Sequence, residues 1–360
     1  MVRKEFSFSK EKADFTLELR KKVKEYFQEN KLSKFGNKNL VLKSVLMVFL
    51  YLIPFGLMLS GIFTSGYPII LCWVLMGFGL AGLGMVLMHD ANHGSYSKST
   101  SVNRLLGNSL YLLGGFPPNW RYQHNTLHHG FTNIEGHDED ISPAGILRFS
   151  PHSPLYRIHR YQHWYAWFFY SLMTLSWITA KDFTRLYTYK QENALLGTNK
   201  TYTRLFIELI ISKLIYFTLF LAVPMLIIPV AWYWILIGFI SMHLVAGLTL
   251  SIIFQTAHVM PTSDYPLPDD KGIIRNNWAA HQLYTTSDYS PKSRIFSWFI
   301  GGLNYQIEHH LFPNVSHIHY RKIALLVQNT AGKYGLPYHV QPNFVTAIYH
   351  HFKMLRSLGR

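Results

Sequence analysis

Cysteine and acidic side chains are the scarce residues of this 360-residue chain. The single cysteine, Cys72, rules out a disulfide framework and leaves no set of thiolates for a zinc or iron–sulfur site. Charged residues make up 15% of the chain, well below the roughly 25% of a soluble domain. We therefore expect part of the chain to lie out of water, and any metal chemistry to rest on histidine, of which there are 19 copies.

Four apolar stretches are long enough to cross a bilayer as helices, because about 20 helical residues span a ~30 Å hydrocarbon core. They are residues 44–63, 67–88, 205–228 and 232–254. The short uncharged links within each pair predict two hairpins. Basic residues outnumber acidic ones by 34 to 19, and they are concentrated before residue 44, between 98 and 204, and after 270. This asymmetry predicts that those three segments lie in the cytoplasm.

Residues 164–180 are also apolar, but we expect them to form an interfacial or core-packed helix. The histidine clusters before and after this stretch can share one site only if they lie on the same side of the membrane, which requires an even number of crossings between them. Residues 205–254 already supply two crossings, so a third one at 164–180 would separate the clusters. The sequence thus predicts an all-α integral membrane protein with four transmembrane helices in two hairpins and a cytosolic helical cap. The expected parts are a basic N-terminal segment (1–43), the first hairpin (44–88), cytosolic and interfacial helices (89–204), the second hairpin (205–254) and the cap (255–360).

Three histidine clusters carry the candidate chemistry. They read HDANH, HNTLHH and QIEHH, and they contain His89, His93, His124, His128, His129, Gln306, His309 and His310. Residues three or four positions apart share a face of a helix, so each cluster directs its imidazoles at one point. His258 follows the fourth apolar stretch at the depth of His89, and both a ligand and a packed core histidine remain open for it. Eight histidines exceed the four ligands of a closed zinc site and suit two iron ions.

Polar neighbours of the clusters are candidates for orienting the imidazoles, because a metal-bound histidine donates its second nitrogen to a carboxylate or carbonyl. Asp90, Asn304 and Glu308 are in this position, and a helix cap or a solvated charge is the alternative for each. The run His137-Asp138-Glu139-Asp140 favours a solvated loop or a helix cap, because consecutive acids do not share a helical face. His243, in the middle of the fourth stretch, favours a hydrogen-bonded packing role.

With these residues in view, the chain resembles the membrane fatty-acid desaturase family from its first apolar stretch to about residue 338. The most specific part is GGLNYQIEHHLFPNVSHIHY, residues 301–320. Gln306 stands where the third cluster of the family has its first histidine, which is similar to the front-end group, whose members add a double bond between an existing one and the carboxyl end. The resemblance implies that Gln306 binds or positions the metal, that His258 is an extra ligand, and that the iron ligands are His89, His93, His124, His128, His129, His309 and His310.

The resemblance further implies an oxygen-dependent acyl-lipid or acyl-CoA desaturase of the delta-5 or delta-6 type, with two non-haem iron ions and O2 as co-substrate. The sequence has no His-Pro-Gly-Gly haem motif of a fused cytochrome. We therefore expect a separate electron donor, a ferredoxin or cytochrome, and a bacterial inner membrane with the active site facing the cytoplasm. Candidate contacts to a phosphate or CoA group are Arg121, Arg148, Arg157 and Lys181. No nucleic-acid motif accompanies the positive charge.

Two other functions remain open at this point. A membrane hydroxylase or ketolase would use the same metal centre, and the ligands alone do not distinguish it from a desaturase. A metal transporter should carry polar or charged groups at the centres of several spans. Only His243 clearly does so here, and the clusters lie at the ends of the spans.

Overall fold

Four long apolar helices dominate the computed structural model, which describes residues 6–142, 145–194 and 196–360. Within these residues, four helices are long and apolar enough to cross a membrane. The first span is Lys38–Leu59, the second is Gly66–Asn92, the third is Tyr202–Ile227 and the fourth is Trp232–His258. The predicted all-α membrane architecture is thereby confirmed.

The spans begin and end at different residues from the apolar stretches, because polar ends continue the same helices. The first span begins six residues earlier than predicted, where the side chain of Asn37 accepts hydrogen bonds from the backbone N–H groups of Asn39 and Leu40. The second span continues to Asn92, so it includes His89 and ends directly before His93, and the fourth ends at His258. His89 and His258 are therefore carried on continuous helices rather than on loops.

The second span lies at the centre of the helix bundle, with 72% of its apolar window buried. Its glycines let neighbouring helices approach closely: a Cβ atom on Gly79 would lie 2.7 Å from the backbone nitrogen of Tyr51, and one on Gly77 would lie 2.6 Å from the carbonyl oxygen of Met242. Small residues at helix contacts are typical of membrane proteins. The second span thus packs between the first and fourth spans.

The first and third spans expose apolar side chains on their outer faces. Phe49 and Ile53 are about half exposed on the first span, and Ile211 and Leu214 on the third. Rows of exposed aliphatic residues on long helices fit a surface in contact with lipid tails rather than water.

Residues 164–180 form short helices that pack against the fourth span. Thr174 donates a hydrogen bond to the carbonyl of His243 at 2.8 Å, and Ser251 donates one to the carbonyl of Tyr170 at 3.3 Å. None of the helices in this stretch is both long enough and apolar enough to be one of the four spans.

The remaining helices and four short strands surround the inner ends of the spans. The strands form two parallel pairs, Ser7–Phe8 with Ile273–Ile274 and Ser287–Tyr289 with His339–Gln341. The α-helices are Ala13–Glu29, Thr100–Gly107, Pro117–Trp120, His129–Phe131, Gln162–Ser171, Met173–Ser176, Asp182–Gln191, Trp278–Thr285, Arg294–Phe299, Gln306–Leu311, Tyr320–Lys333 and Phe344–Leu358, and the 3-10 helices are Asn108–Leu113, Glu139–Ile141, Arg157–Tyr161 and His317–His319.

Two wide helical turns occur at the histidine clusters. Residues Gly84–Met88 form a π-helical turn just before His89, and Arg121–His128 form another that carries the second cluster. Such turns often mark functional sites. Two more, at Trp177–Lys181 and Thr218–Ala222, lie elsewhere in the helices.

Candidate metal centre and acyl cavity

The structure brings the histidine clusters together as two compact groups at the inner ends of the second and fourth spans. Group one consists of His89, His93, His124 and His309, and group two consists of His128, His258 and His310. Within each group, one nitrogen of every imidazole lies within 4.8 Å of those of the others. This spacing fits residues that surround a single ion. Seven of the eight histidines predicted as ligands therefore fall into the two groups.

Five of the seven histidines in the two groups have an Nε2 atom without a protein partner. The Nε2 atoms of His93, His128, His258, His309 and His310 are buried and form no hydrogen bond. The Nε2 atoms of His89 and His124 face each other at 3.2 Å. Buried polar atoms are nearly always satisfied, so a convergent set of unsatisfied nitrogens fits the lone pairs of metal ligands.

His129 and Gln306 lie beside the two groups. The Nε2 atom of His129 is 3.3 Å from that of His124, and its ring centre is 4.4 Å from the ring of His310. The wide turn at Arg121–His128 adds about one residue per turn, which allows His129 to face the same space as His124. Both amide atoms of Gln306 are buried without a partner.

The outer nitrogens of three histidines are held by hydrogen bonds. The Nδ1 atom of His128 lies 3.1 Å from a carboxylate oxygen of Asp138. The Nδ1 atom of His310 lies 2.9 Å from the amide oxygen of Gln282. In group one, the Nδ1 atom of His309 is 3.2 Å from the hydroxyl of Tyr320. These contacts fix the orientation of each ring and leave its Nε2 atom free for a metal.

Burial keeps most of these imidazoles neutral, which is the state that binds metal. It lowers the pKa of His124 to about 3 and lowers the pKa values of His129, His309 and His310 well below the usual range. His128 differs: burial acts in the same direction, but the Asp138 and Asp140 carboxylates together outweigh it and raise the pKa of His128.

The prediction of a solvated loop at residues 137–140 is wrong for Asp138, which is completely buried. The chain turns back at Asn133, whose φ is +58°, and its backbone N–H donates to Asp138 at 2.9 Å. Asp138 also caps the short helix Glu139–Ile141, so the predicted capping role is present. Asp140 lies with His124 and His128 in a third cluster of potential ligands. Spacing along the chain gave no signal for either contact, because a loop places these acids.

The three polar residues predicted to orient histidines have mixed surroundings. One oxygen of Asp90 lies 4.0 Å from the Nδ1 atom of His89, while its other oxygen is 2.9 Å from the Nδ1 atom of His317. Glu308 accepts a hydrogen bond from the hydroxyl of Tyr338. The amide of Asn304 donates to a backbone carbonyl at 3.4 Å. Of the contacts named here, only that of Asp90 with His89 involves a histidine of either group.

Within the membrane, His243 is fully buried and hydrogen-bonded, as its predicted packing role requires. Its Nε2 atom is 3.0 Å from the hydroxyl of Tyr216, and its Nδ1 atom is 3.1 Å from that of Thr174.

A cavity of about 860 Å³ passes beside group one. Its lining includes His89 and His124, and the ring of Trp120 stacks on His124 with centres 4.5 Å apart. Part of its lining is polar and at least partly exposed, and includes Lys181, Thr184 and Arg185. Another part is apolar and buried, and includes Leu80, Leu110, Leu113, Met85 and Met88.

The fold and this site define a membrane protein with a histidine-lined centre suited to metal and a mostly apolar cavity beside it. Residues 65–342 match the family model described as "Fatty acid desaturase". The chain is 32% identical to the sn-1 linoleoyl-lipid 6-desaturase of Arthrospira platensis, with 96% of this chain and 92% of that protein covered. It is 34% identical to the acyl-lipid (8-3)-desaturase of Physcomitrium patens, with coverages of 97% and 72%.

A third relative, the sn-1 linoleoyl-lipid 6-desaturase of Synechocystis sp., is 30% identical over 97% of both chains. The chain therefore belongs to the fatty acid desaturase family, as the resemblance of its histidine clusters indicated. It is a fatty acyl desaturase of the front-end type, which makes it an oxidoreductase.

Proposed function

We propose that the chain uses O2 and two iron ions to insert a cis double bond into an acyl-lipid, on the carboxyl side of an existing double bond. The observation that carries this proposal is the cavity, whose lining combines His89 and His124 of group one with many aliphatic side chains and with the cations Lys181 and Arg185. An acyl chain in it would present its middle carbons to the centre. The relatives' names favour an acyl-lipid over an acyl-CoA. They also favour position 6, or position delta-5 as in two relatives from Dictyostelium discoideum.

The reaction is balanced as follows: the acyl chain loses two hydrogen atoms, a carrier supplies two electrons and the medium two protons, and O2 becomes two water molecules. When bound, the iron ions supply the oxidising power to break unactivated C–H bonds. We assign one ion to each histidine group, with His129 and Gln306 between or beside them as further ligands or positioning residues. The unpartnered Nε2 atoms support this assignment.

The protein's own residues position the substrate and exclude water. The aliphatic walls hold the acyl chain, and Trp120 limits its approach to His124. Lys181 and Arg185 line the same cavity and suit an anionic or polar head group, although Arg185 also pairs with Glu139 at 3.2 Å. Arg148 is a poor head-group contact, because its guanidinium donates to three backbone carbonyls.

We further propose that the histidine centre faces the cytoplasm of a bacterium, with residues 1–43, 89–204 and 255–360 on that side and 44–88 and 205–254 in the membrane. The concentration of Lys and Arg in the first three segments supports this orientation. Similarity to proteins of Arthrospira and Synechocystis along nearly their whole length supports the bacterial setting. We expect the electrons to come from a separate ferredoxin or cytochrome.

The test is a lipid profile of a host that expresses the chain with a ferredoxin and is supplied with oleic and linoleic acids. Mass spectrometry of derivatised fatty acids locates each double bond. A new double bond on the carboxyl side of the existing one is the expected result, and the His128→Ala variant should not produce it. Hydroxylated or oxidised acyl chains without a new alkene would replace the proposal with a hydroxylase or ketolase.

A further inference from the structure

A second cavity, of about 430 Å³, lies beside the metal centre and is lined by basic side chains. Four cations line it, and no acidic side chain of the described residues does. They are Lys34, Lys98, Arg104 and Arg121. None of the ion pairs found within the described residues involves any of the four. Like charges that share a concave surface repel each other and attract anions.

Part of the lining of this basic cavity comes from residues beside the histidines of the first cluster. Ala91, Asn92 and Gly94 line it, and they lie between and directly after His89 and His93. Arg121 is fixed to this segment, because its Nε donates to the side-chain oxygen of Asn92 at 2.8 Å. A molecule seated in the basic cavity would therefore lie within one or two residues of group one.

The basic cavity and the acyl cavity open on different faces of the same helices. His89 lines the acyl cavity while Ala91 lines the basic one, and positions two apart on an α-helix point in nearly opposite directions. In the second cluster, Gln123 lines the first cavity and Arg121 the second. His93 is the one histidine of group one that is partly exposed, whereas the other three are buried. Two reactants can thus reach the centre without competing for one entrance.

We propose that the basic cavity is the docking site of the acidic, one-electron carrier protein that supplies the desaturation reaction. This inference rests on the proposed function, which requires two electrons per double bond. Charge complementarity selects an acidic partner and gives it fast, salt-sensitive association. The direct contact with the segment of His89 and His93 favours an electron carrier over the phosphate of a membrane lipid, which would gain nothing from that proximity.

Direct binding tests this inference without relying on turnover. The purified full chain in detergent is titrated with two acidic probes, a plant-type [2Fe–2S] ferredoxin and the soluble haem domain of cytochrome b5. The variant Lys98→Glu/Arg104→Glu reverses two exposed charges of the basic cavity. The matched control is Lys353→Glu/Arg356→Glu, which makes the same charge change on the exposed side of helix Phe344–Leu358 and touches neither cavity.

For at least one probe, we expect the Kd of the first variant to rise on the order of tenfold at low ionic strength, with a smaller difference at 0.5 M salt. The control should bind like the wild type, and bound iron should be unchanged in both. Equal weakening in the two variants, or no binding of either probe to the wild type, would overturn the docking site. A higher KM for the acyl-lipid with unchanged carrier binding would reassign the cavity to a head group. Lack of a new double bond despite tight carrier binding would instead contradict the proposed function.

Discussion

The two histidine groups are built from the same side chain, yet they are supported differently. Group two is anchored by charge, because the fully buried Asp138 lies 3.1 Å from the outer nitrogen of His128. Group one has weaker support: the carboxylate oxygens beside the Nδ1 atoms of His89 and His124 lie 4.0 Å and 3.9 Å away, on Asp90 and Asp140, and the Nδ1 atom of His309 lies 3.2 Å from the neutral hydroxyl of Tyr320. Group one also borders both cavities. We infer that group two is the more rigid site and that group one receives the substrates.

The largest expected effect comes from removing one imidazole from either group. His309→Ala in group one and His128→Ala in group two should each abolish desaturation and lower the bound iron, because a ligand is lost from a site with three or four. Iron is measured by elemental analysis of the purified protein, and turnover by the lipid profile. Membrane insertion should be intact in both variants.

A matched control is His351→Gln, since His351 is equally buried but belongs to neither group. This variant should retain its iron. Full activity of His309→Ala or His128→Ala would remove the corresponding group from the proposed centre.

The next largest effect should come from Asp138→Asn, which keeps the shape of the side chain and removes its charge. Partners that orient a metal-bound histidine typically contribute 10–100-fold to metal affinity or activity. We therefore expect iron to be lost to a chelator at a correspondingly lower concentration, with the loss confined to one of the two ions. If the variant holds both ions as tightly as the wild type, the contact between the Asp138 carboxylate and His128 does not contribute to iron binding.

Much of the architecture could be predicted from sequence, since apolar length and the distribution of charge are local properties. The four spans and the convergence of the clusters followed from them. The division of the clusters between the groups did not. His309 and His310 are adjacent, so their side chains differ by about 100° in direction and enter different groups. Likewise, His124 belongs to group one and His128 to group two.

The partners of the histidines were the least predictable feature. Asp138 reaches His128 through a loop that turns at Asn133, and no periodicity encodes that turn. Asp90 was proposed from adjacency to support His89, yet its shortest contacts are with Ser316 and His317, more than 220 residues away. Tertiary packing decides such contacts.

A smaller effect on iron binding is expected from Asp90→Asn, which tests the weaker support of group one. One oxygen of Asp90 lies 4.0 Å from the Nδ1 atom of His89. The other oxygen accepts a hydrogen bond from the hydroxyl of Ser316 and lies 2.9 Å from the Nδ1 atom of His317. His317 in turn lies 2.8 Å from the amine of Lys43 on the first span. The substitution should therefore lower the free energy of unfolding by about 1–3 kcal/mol. This loss of stability should be larger than the loss of free energy in iron binding.

Thermal unfolding and chelator competition on the same preparation separate these two effects. If Asp90→Asn loses iron as readily as Asp138→Asn, the two groups are supported alike, and the contrast between them fails.

The smallest effect on iron binding is expected at His351, a buried histidine that belongs to neither group. The Nδ1 atom of His351 lies 2.9 Å from the carbonyl of Val259, and its Nε2 atom 2.8 Å from the hydroxyl of Tyr170. Burial lowers the pKa of His351 from 6.5 to about 4. Because the unfolded chain binds this proton more readily, the stability from neutral His351 is complete above pH 6.5 and is lost as the pH falls toward 4.

The loss from this one group should be about 2 kcal/mol at pH 5 relative to pH 7.5. His351→Gln removes the titration, so its thermal midpoint should fall less than that of the wild type over this range. Equal pH dependence in the two proteins would show that His351 is not the group that titrates. A separate loss of iron on acidification in both proteins would then belong to the metal-binding histidines, because metal must compete with protons for them. Comparison of midpoint and iron content across pH thus separates histidines that hold the fold from histidines that hold the metal.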